Sequence, residues 1–244
     1  MAVFTDGASR VDRTNWPTTL ISYYQFGAAI GLALDLTLRD RTDSRVTLDD
    51  YMRAMWRAHG KPGGSREGYV DRPYTLADAE ARLAEVSGDQ AFARDFFARY
   101  IEGHDAADYE RLLARAGLVL RKQHPGRAWW GDVRLETRSA SVRVGEPPAP
   151  DWPAYAAGLD IGDEVRQLDR TRIGSPSDVT AVLQRHRPGD RLAIVFADRA
   201  GGARNGTVVL AEDPGVELVA VEAAGGVLSA AQRAFRERWL GGGK

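Results

Sequence analysis

The chain has 244 residues, of which 43% are hydrophobic, so it can form one large domain or two ordinary domains with real cores. Its 33 Lys and Arg residues balance 34 Asp and Glu residues to a formal net charge of -1, which argues against nucleic acid or an anionic membrane surface as a partner. Cysteine is absent, which excludes disulfides, thiolate zinc sites and a cysteine nucleophile and leaves the cellular compartment unknown.

The N-terminal stretch carries neither a signal-peptide pattern nor a membrane span. No basic region followed by an apolar core opens the chain, so we expect no signal peptide. The apolar run from Phe26 to Leu38 is shorter than the roughly 20 residues that cross a bilayer, and it contains Asp35. The run therefore predicts a core helix of a soluble protein.

The first half of the sequence has the pattern of helices. From Ile21 to about Arg41, apolar residues cover nearly the whole circumference, which is typical of a helix packed on several sides. Asp35 would need a partner if it is buried, and Arg39 one turn later can supply it. Four further helices are predicted from apolar spacing, in "TLDDYMRAMWRAHG", "TLADAEARLAEVSG", "DQAFARDFFARYIEG" and "DYERLLARAG".

After Gly117 the pattern changes to short β-rich segments separated by turns. One helix, "SPSDVTAVLQRH", interrupts them, and a helix "SAAQRAFRERWL" ends the chain. We therefore predict an α+β multidomain chain: an all-α region over 1–117, a β-rich domain over 118–228, and a C-terminal helix and tail over 229–244. The strands are expected in "LVLRK", "WGDVRLE", "SVRV", "EVRQL", "RLAIVFA", "GTVVLA" and "VELVAV".

Several catalytic patterns are missing from the sequence. It contains no H-E-x-x-H, no G-x-S-x-G elbow around a serine, and no phosphate-binding loop. The histidines are far apart and lie near predicted helix ends or loops, so solvated or capping roles are favoured; they are His59, His104, His124 and His186.

The stretch "SYYQFG" places two adjacent tyrosines at the start of the first helix. On physical grounds such a tyrosine is more often a core aromatic with a satisfied hydroxyl than a catalytic donor. Successive helical side chains are about 100° apart, so Tyr23 and Tyr24 cannot share a face. If one packs into the core, the other points elsewhere.

Five ordered blocks of the sequence carry a resemblance. They are "VDRTNWPTTLISYYQFGAAIGLALDLTLRDRT", "TLDDYMRAMW", "PYTLADAEARLAEVSGDQAFARDFFARYIEG", "DYERLLARAGLVLR" and the β-rich region, and together they cover nearly the whole chain. They resemble the C-terminal half of the glycyl aminopeptidase family of zinc metallopeptidases. That resemblance implies the helical subdomain of a thermolysin-like aminopeptidase followed by a PDZ domain.

The same resemblance assigns a role to one tyrosine. In the wider aminopeptidase group, a tyrosine in a Tyr-x-x-Gly context donates its hydroxyl to the oxyanion next to zinc. "YQFG" beginning at Tyr24 fits that context, so the resemblance makes Tyr24 the catalytic candidate and Tyr23 its packing neighbour. Zinc belongs to the complete family enzyme, whose H-E-x-x-H helix precedes the region matched here. We therefore expect this chain to hold no metal and to be inactive alone.

A second resemblance concerns "WPAYAAGLDIGDEVRQLDRTRI" and the segments after it, which are similar to the PDZ domains of bacterial proteases. PDZ domains bind extended peptides by strand addition, and backbone amides of a loop receive the terminal carboxylate. By this resemblance, the loop that receives the carboxylate contains Trp130, Gly131, Asp132 and Val133. Asp132 is unfavourable for a carboxylate ligand, and "DR" at 169–170 replaces the usual Asp-Gly turn, so both departures from the pattern argue against peptide binding.

Three interpretations follow. In the first, the chain is the C-terminal portion of a glycyl-aminopeptidase-like metallopeptidase, as a piece of a longer product or as a natural remnant. Its exposed apolar face then packs on the zinc-bearing half or self-associates. In the second, the chain is a non-catalytic scaffold that binds peptides or unfolded protein termini. A PDZ-like domain that only braces the helices and binds nothing is the third alternative.

Overall fold

The computed structural model describes residues 23–139 and 141–241, which fall into two compact units. The helical unit contains residues 23–121 and 218–241. The sheet unit contains residues 122–139 and 141–217. Helices dominate one unit and strands the other, as expected of an α+β chain. Within the described ranges, no helix has the length and apolar character required to cross a bilayer.

The predicted helices of the first half are confirmed. Two of them, α2 (Leu48–Met55) and α4 (Gln90–Phe96), each continue into a π-helical turn, at Trp56–Gly60 and Phe97–Glu102. Reciprocal capping boxes, Thr47 with Asp50 and Thr75 with Asp78, begin α2 and α3 because each pair satisfies amide groups that a helix start leaves unpaired. The helices are α1 Tyr23–Thr42, α2 Leu48–Met55, α3 Leu76–Ser87, α4 Gln90–Phe96 and α5 Tyr109–Ala114.

Helix α1 packs on two sides, as its apolar circumference predicts. Leu34 and Leu38 lie in one buried cluster with side chains of α3 and α4, including Leu83 and Phe96. On the other side, α1 contributes to a second buried cluster with α5 and the C-terminal helix, formed by Ala33, Leu36, Leu112, Leu113, Ala116 and Phe235.

The predicted partner of Asp35 is confirmed. The Arg39 Nε atom lies 2.8 Å from an Asp35 carboxylate oxygen, and about 15% of each side chain is exposed (15% and 14%). The second carboxylate oxygen of Asp35 accepts from the Leu48 N–H at 3.0 Å. Asp35 therefore connects α1 to the first turn of α2.

The C-terminal segment belongs to the helical unit. Strand β1, Leu118–Lys122, pairs with β10, Val216–Ala220, and the final helix, α8, spans Ala230–Leu240. Arg236 on α8 donates to the carbonyls of Ala116 and Gly117 at 2.7 and 2.8 Å. The units consequently divide at 121/122 and 217/218, whereas the predicted boundaries follow the change of sequence pattern at 117/118 and 228/229.

The sheet unit contains eight strands among the described residues. They are β2 Ala128–Trp129, β3 Leu135–Arg138, β4 Ser141–Val144, β5 Glu164–Leu168, β6 Thr171–Arg172, β7 Arg191–Ala197, β8 Ala203–Val209 and β9 Ala211–Glu212. Its main sheet is antiparallel with the strand order β3-β4-β5-β7-β8, and β6 pairs with β5 outside this order. Helices α6, Pro153–Ala156, and α7, Pro176–Leu183, complete the unit.

One strand is shorter than predicted. The segment "WGDVRLE" was expected to be extended throughout, but regular pairing begins only at Leu135. Gly131 has a φ of 122°, a left-handed conformation that interrupts a strand. The preceding residues consequently form a loop between β2 and β3.

Two details of the PDZ resemblance have clear structural roles. The buried Asp163 carboxylate accepts from the Asp160 N–H at 2.9 Å just before β5. The turn at 169–170 closes a hairpin although it lacks glycine, because Asp169 adopts a φ of 53°, which aspartate tolerates. Leu168 and Thr171 pair across this turn.

Candidate functional site

The sheet unit contains a groove with a cavity of about 360 Å³. Its walls come from the β2–β3 loop, from β3 and from α7. The residues that line it are Arg127, Ala128, Trp129, Trp130, Gly131, Val133, Leu135, Pro176, Val179, Thr180, Leu183 and Gln184.

One edge of β3 is unpaired in the described sheet, and an added strand can approach it there. In the described sheet, β3 pairs only with β4. The Arg134 carbonyl accepts from the Gly145 N–H at 2.8 Å, so the backbone of Arg134 points toward β4. Because backbone groups alternate along a strand, those of Val133, Leu135 and Thr137 point to the opposite, unpaired edge. An extended peptide can add to a strand edge of this kind.

The β2–β3 loop supplies unpaired amide groups at one end of this edge. Within the described part of the chain, the N–H groups of Gly131, Asp132 and Val133 donate to no acceptor. At Gly131 a side chain would meet the Trp152 ring at 2.7 Å, so the loop depends on glycine there. Successive free amides form a concavity suited to an anion.

Asp132 does not line the groove, although it was expected to disfavour a carboxylate there. Its carboxylate accepts from the Trp129 indole N–H at 2.8 Å, and the side chain is exposed. The Trp129 ring also meets Trp152 edge-on, with the ring centroids 5.9 Å apart. Asp132 therefore orients Trp129 against the loop.

The other loop residues differ in exposure. Trp130 is only 4% exposed and belongs to the core of the sheet unit, so it forms the groove's inner wall. Val133 is partly buried against the same core. The four residues selected from the sequence thus adjoin one another as expected, but they contribute backbone and core packing more than exposed side chains.

Helix α7 forms the facing wall and is firmly capped. The Asp178 carboxylate accepts from the N–H groups of Gly174 and Ser175, each at 2.8 Å. Hydrogen bonds from these two amides and from the Ser175 hydroxyl hold the pKa of Asp178 below its usual value. Val179 on this helix is buried, whereas Thr180 is exposed at the groove.

Arg127 lines the groove, and a buried carboxylate balances its charge. Its guanidinium pairs with Asp213, whose side chain is 6% exposed. Burial alone would raise the pKa of Asp213, but the Gly215 N–H and the Arg127 guanidinium outweigh it and leave this pKa lowered. The pair therefore adds no net positive charge to the groove.

Tyr24, the catalytic candidate, lies in the first turn of α1 in the helical unit. Its side chain is 73% exposed, so the phenol is on the surface and not in the core. The side chain of Tyr23, its predicted packing neighbour, lies outside the described residues.

The described residues offer no ligand set for zinc. Over 23–139 and 141–241, no three His, Asp or Glu side chains converge on a point that could hold a metal ion. His59 Nδ1 lies 3.0 Å from the Arg72 carbonyl, and His186 Nδ1 lies 3.1 Å from Asp190. Both rings have local partners, and these residues do not fit a zinc site.

Sequence reasoning located the loop but missed the facing wall of the groove. Pro176, Val179, Thr180 and Leu183 were recognised only as a helix, and Trp129 and Arg127 were not singled out. More than 40 residues separate Val133 in the loop from Pro176 at the start of α7, so no local sequence pattern connects them.

The fold of this chain is similar to that of a solved structure. An aminopeptidase N family protein from Idiomarina loihiensis is similar with a TM-score of 0.68 and 22% identity, over 91% of this chain and 37% of that one. This chain thus has an aminopeptidase-like fold and spans little more than a third of that protein's length.

Weaker similarities involve other proteases. The HtrA-type protease AlgW with a decapeptide is 26% identical over 37% of this chain and 30% of that chain, with a TM-score of 0.33. A photosystem II D1 C-terminal processing protease is 18% identical over 68% of this chain and 43% of that chain, with a TM-score of 0.32. No protein-family model matches the sequence, and no curated protein matches it significantly.

Proposed function

We propose that this chain is the C-terminal portion of a glycyl-aminopeptidase-like zinc metallopeptidase, which hydrolyses peptide bonds when complete. The fold shared with the aminopeptidase N family protein over 91% of the chain carries this proposal. The ordered sequence blocks that resemble glycyl aminopeptidases support it. In this proposal zinc and the general base belong to a part of the enzyme that this chain does not include, so the chain alone is inactive.

In this proposal Tyr24 donates its phenol hydrogen to the oxyanion of the transition state. Its 73% exposure at the start of α1 makes the hydroxyl accessible to a cleft completed by another part of the enzyme. One well-placed donor to a developing oxyanion contributes about 3 kcal/mol, which corresponds to about a hundredfold in kcat.

The genomic DNA upstream of Met1 provides the first test. An in-frame H-E-x-x-H supports the proposal, and the extended product is then assayed for glycine and alanine release. Tyr24→Phe should lower kcat about a hundredfold with little change in KM, because the lost interaction forms only in the transition state. A stop codon next to a ribosome-binding site would instead favour the non-catalytic scaffold.

The groove of the sheet unit supports a second function, peptide binding in the manner of a PDZ domain. The observation that favours it is made among the described residues: β3 has an edge and the loop has three amides that none of them pairs, beside one apolar cavity. A peptide adding to β3 would place its terminal carboxylate at Gly131–Val133. Its last side chain would enter the cavity, whose lining by Val179, Leu183 and Leu135 favours an apolar residue.

A matched pair of α7 variants tests peptide binding. Thr180 and Ala181 are both exposed on α7, but only Thr180 lines the groove. Against a library of peptides with free C termini, Thr180→Glu should abolish binding through repulsion of the carboxylate end and obstruction of the groove. Ala181→Glu adds the same charge to the same helix and should leave binding unchanged. Equal binding by both variants, or no peptide bound by the wild type, would favour a domain that only braces the helices.

A further inference from the structure

The helical unit contains a second cavity, of about 370 Å³, that neither proposed function uses. It lies between α2, the π-helical turn and the segment that leads into α3. Its walls are mostly aromatic rings and methionine side chains, contributed by Tyr51, Met52, Met55, Trp56, His59 and Tyr74. A cavity of this size and lining is typical of a small-ligand site.

Hydrogen bonds and ring contacts hold the walls in place. The Tyr51 hydroxyl donates to the Ala79 carbonyl at 3.3 Å, and burial raises the pKa of Tyr51, so the phenol stays neutral. His59 Nδ1 bonds to the Arg72 carbonyl, and the His59 ring meets the Tyr74 ring edge-on at 5.8 Å between centroids. The cavity is therefore built before any ligand arrives.

Three of the wall residues expose much apolar surface. Met52 is 56% exposed, Trp56 is 57% exposed and Tyr74 is 62% exposed. Large side chains clustered in this way mark a binding surface more often than an ordinary solvent face. Their rings and the methionine sulfur favour a flat aromatic group, which stacks on rings and contacts sulfur well.

One positive charge lies beside the cavity. Lys61 is exposed, and within the described ranges it forms no ion pair with a carboxylate. The Lys61 ammonium lies 5.9 Å from the ring centroid of Trp56, which lines the cavity. Two carboxylates are nearby, and hydrogen bonds from Ser65 and Thr75 hold the pKa values of Asp71 and Asp78 low, so both are ionised; neither lines the cavity.

We propose that this cavity binds an aromatic carboxylate, with the ring between Trp56 and Tyr74 and the carboxylate toward Lys61. The apolar lining selects the ring and contains no Asp or Glu that would repel the anion. The Lys61 ammonium beside Trp56 supplies the charge complement. The inference depends on the helical unit alone and not on either function proposed above.

Calorimetric titration of the full chain tests this inference with 2-naphthoate as the probe. We expect saturable binding of 2-naphthoate, about fivefold weaker binding of neutral 2-naphthamide, and weaker binding still of cationic 2-naphthylmethylamine. A tripeptide ending in phenylalanine, with and without an amidated C terminus, distinguishes a peptide end from a free acid as the source of the carboxylate. The titrations use the Thr180→Glu chain, so that the groove of the sheet unit does not contribute.

Two tyrosines with equal exposure provide the matched control. Tyr74 lines the cavity and Tyr69 does not, yet each is 62% exposed. Tyr74→Ala should weaken 2-naphthoate binding about tenfold, since one stacking ring is lost, and Tyr69→Ala should leave it unchanged. Met52→Glu, at another exposed wall position, should abolish binding of the anion while preserving the helix.

The inference is overturned by three results. They are no saturable binding of 2-naphthoate by the Thr180→Glu chain, equal affinity for the anionic and cationic probes, or equal losses when Tyr74→Ala and Tyr69→Ala are added to that chain. Circular dichroism of each variant separates a loss of binding from a loss of fold, and Met52→Glu keeps the test decisive if Tyr74→Ala misfolds.

Discussion

Replacing Asp35 by alanine should destabilise the helical unit by about 3 kcal/mol, because the carboxylate serves two partners at once. It pairs with Arg39 at 2.8 Å and accepts from the Leu48 N–H at 3.0 Å. Alanine leaves the largely buried Arg39 guanidinium without its counter-ion and leaves a first-turn amide of α2 unpaired. These losses dominate the estimate, since the intact pair itself contributes little after desolvation.

The unfolding transition of the full chain measures this effect. A loss of about 3 kcal/mol corresponds to a fall in Tm of about 6–12 °C for a chain of this size. Asp35→Asn should cost less, since its amide oxygen can still accept from Leu48. Asp49→Ala is the control, because the Asp49 side chain is 78% exposed and its carboxylate oxygen lies 3.7 Å from an Arg53 guanidinium nitrogen. This substitution should change the free energy of unfolding by no more than about 0.5 kcal/mol. If Asp35→Ala unfolds like Asp49→Ala, the coupling of α1 to α2 through this carboxylate is wrong.

Three further predictions follow from packing and pKa. Phe235→Ala should destabilise the helical unit by about 3–5 kcal/mol, measured by urea unfolding, because the ring is 4% exposed in the α1–α5–α8 cluster; an effect below about 1 kcal/mol would contradict the placement of α8. The lowered pKa of Asp178 means that its stabilisation is present above the usual aspartate pKa and is lost as pH falls through the folded-state pKa. Asp178→Asn should therefore be less stable than wild type at pH 7 and equally stable at strongly acidic pH, and a constant difference would contradict this. Burial raises the pKa of Asp163 in spite of the Asp160 amide bond, so the contribution of Asp163 to stability declines as pH rises from the usual aspartate pKa through the raised one. Asp163→Asn should gain stability relative to wild type from pH 3 to pH 7, as measured by thermal unfolding, and a relative loss would count against it.

Local sequence patterns were sufficient for most of the secondary structure. Capping pairs such as Thr75 and Asp78 and the apolar spacing of α1 reflect interactions within one or two turns, and the structure confirms them. The Asp35–Arg39 pair was predictable for the same reason, since its members are four residues apart. The strand predicted at "WGDVRLE" was too long, because the conformation of Gly131 depends on Trp152, which is distant in sequence.

Long-range arrangements could not be read from the sequence. The closing of the helical unit by β10 and α8 requires contacts more than 90 residues apart, such as Arg236 with Ala116. The groove likewise combines a loop near Gly131 with a helix near Val179, and Asp132 is turned away from it by the Trp129 indole. The loop was located through the PDZ resemblance, whereas its facing wall needed coordinates.

The central claim is that catalysis requires a zinc-bearing part beyond this chain and uses Tyr24. The most direct measurement is zinc content together with glycine and alanine release, for the 244-residue chain and for its upstream-extended product, each with and without Tyr24→Phe. We expect no zinc and no turnover for the chain alone. For the extended product we expect one zinc and turnover that falls about a hundredfold in kcat with Tyr24→Phe. Stoichiometric zinc and turnover in the chain alone, or an extended enzyme indifferent to Tyr24→Phe, would contradict it.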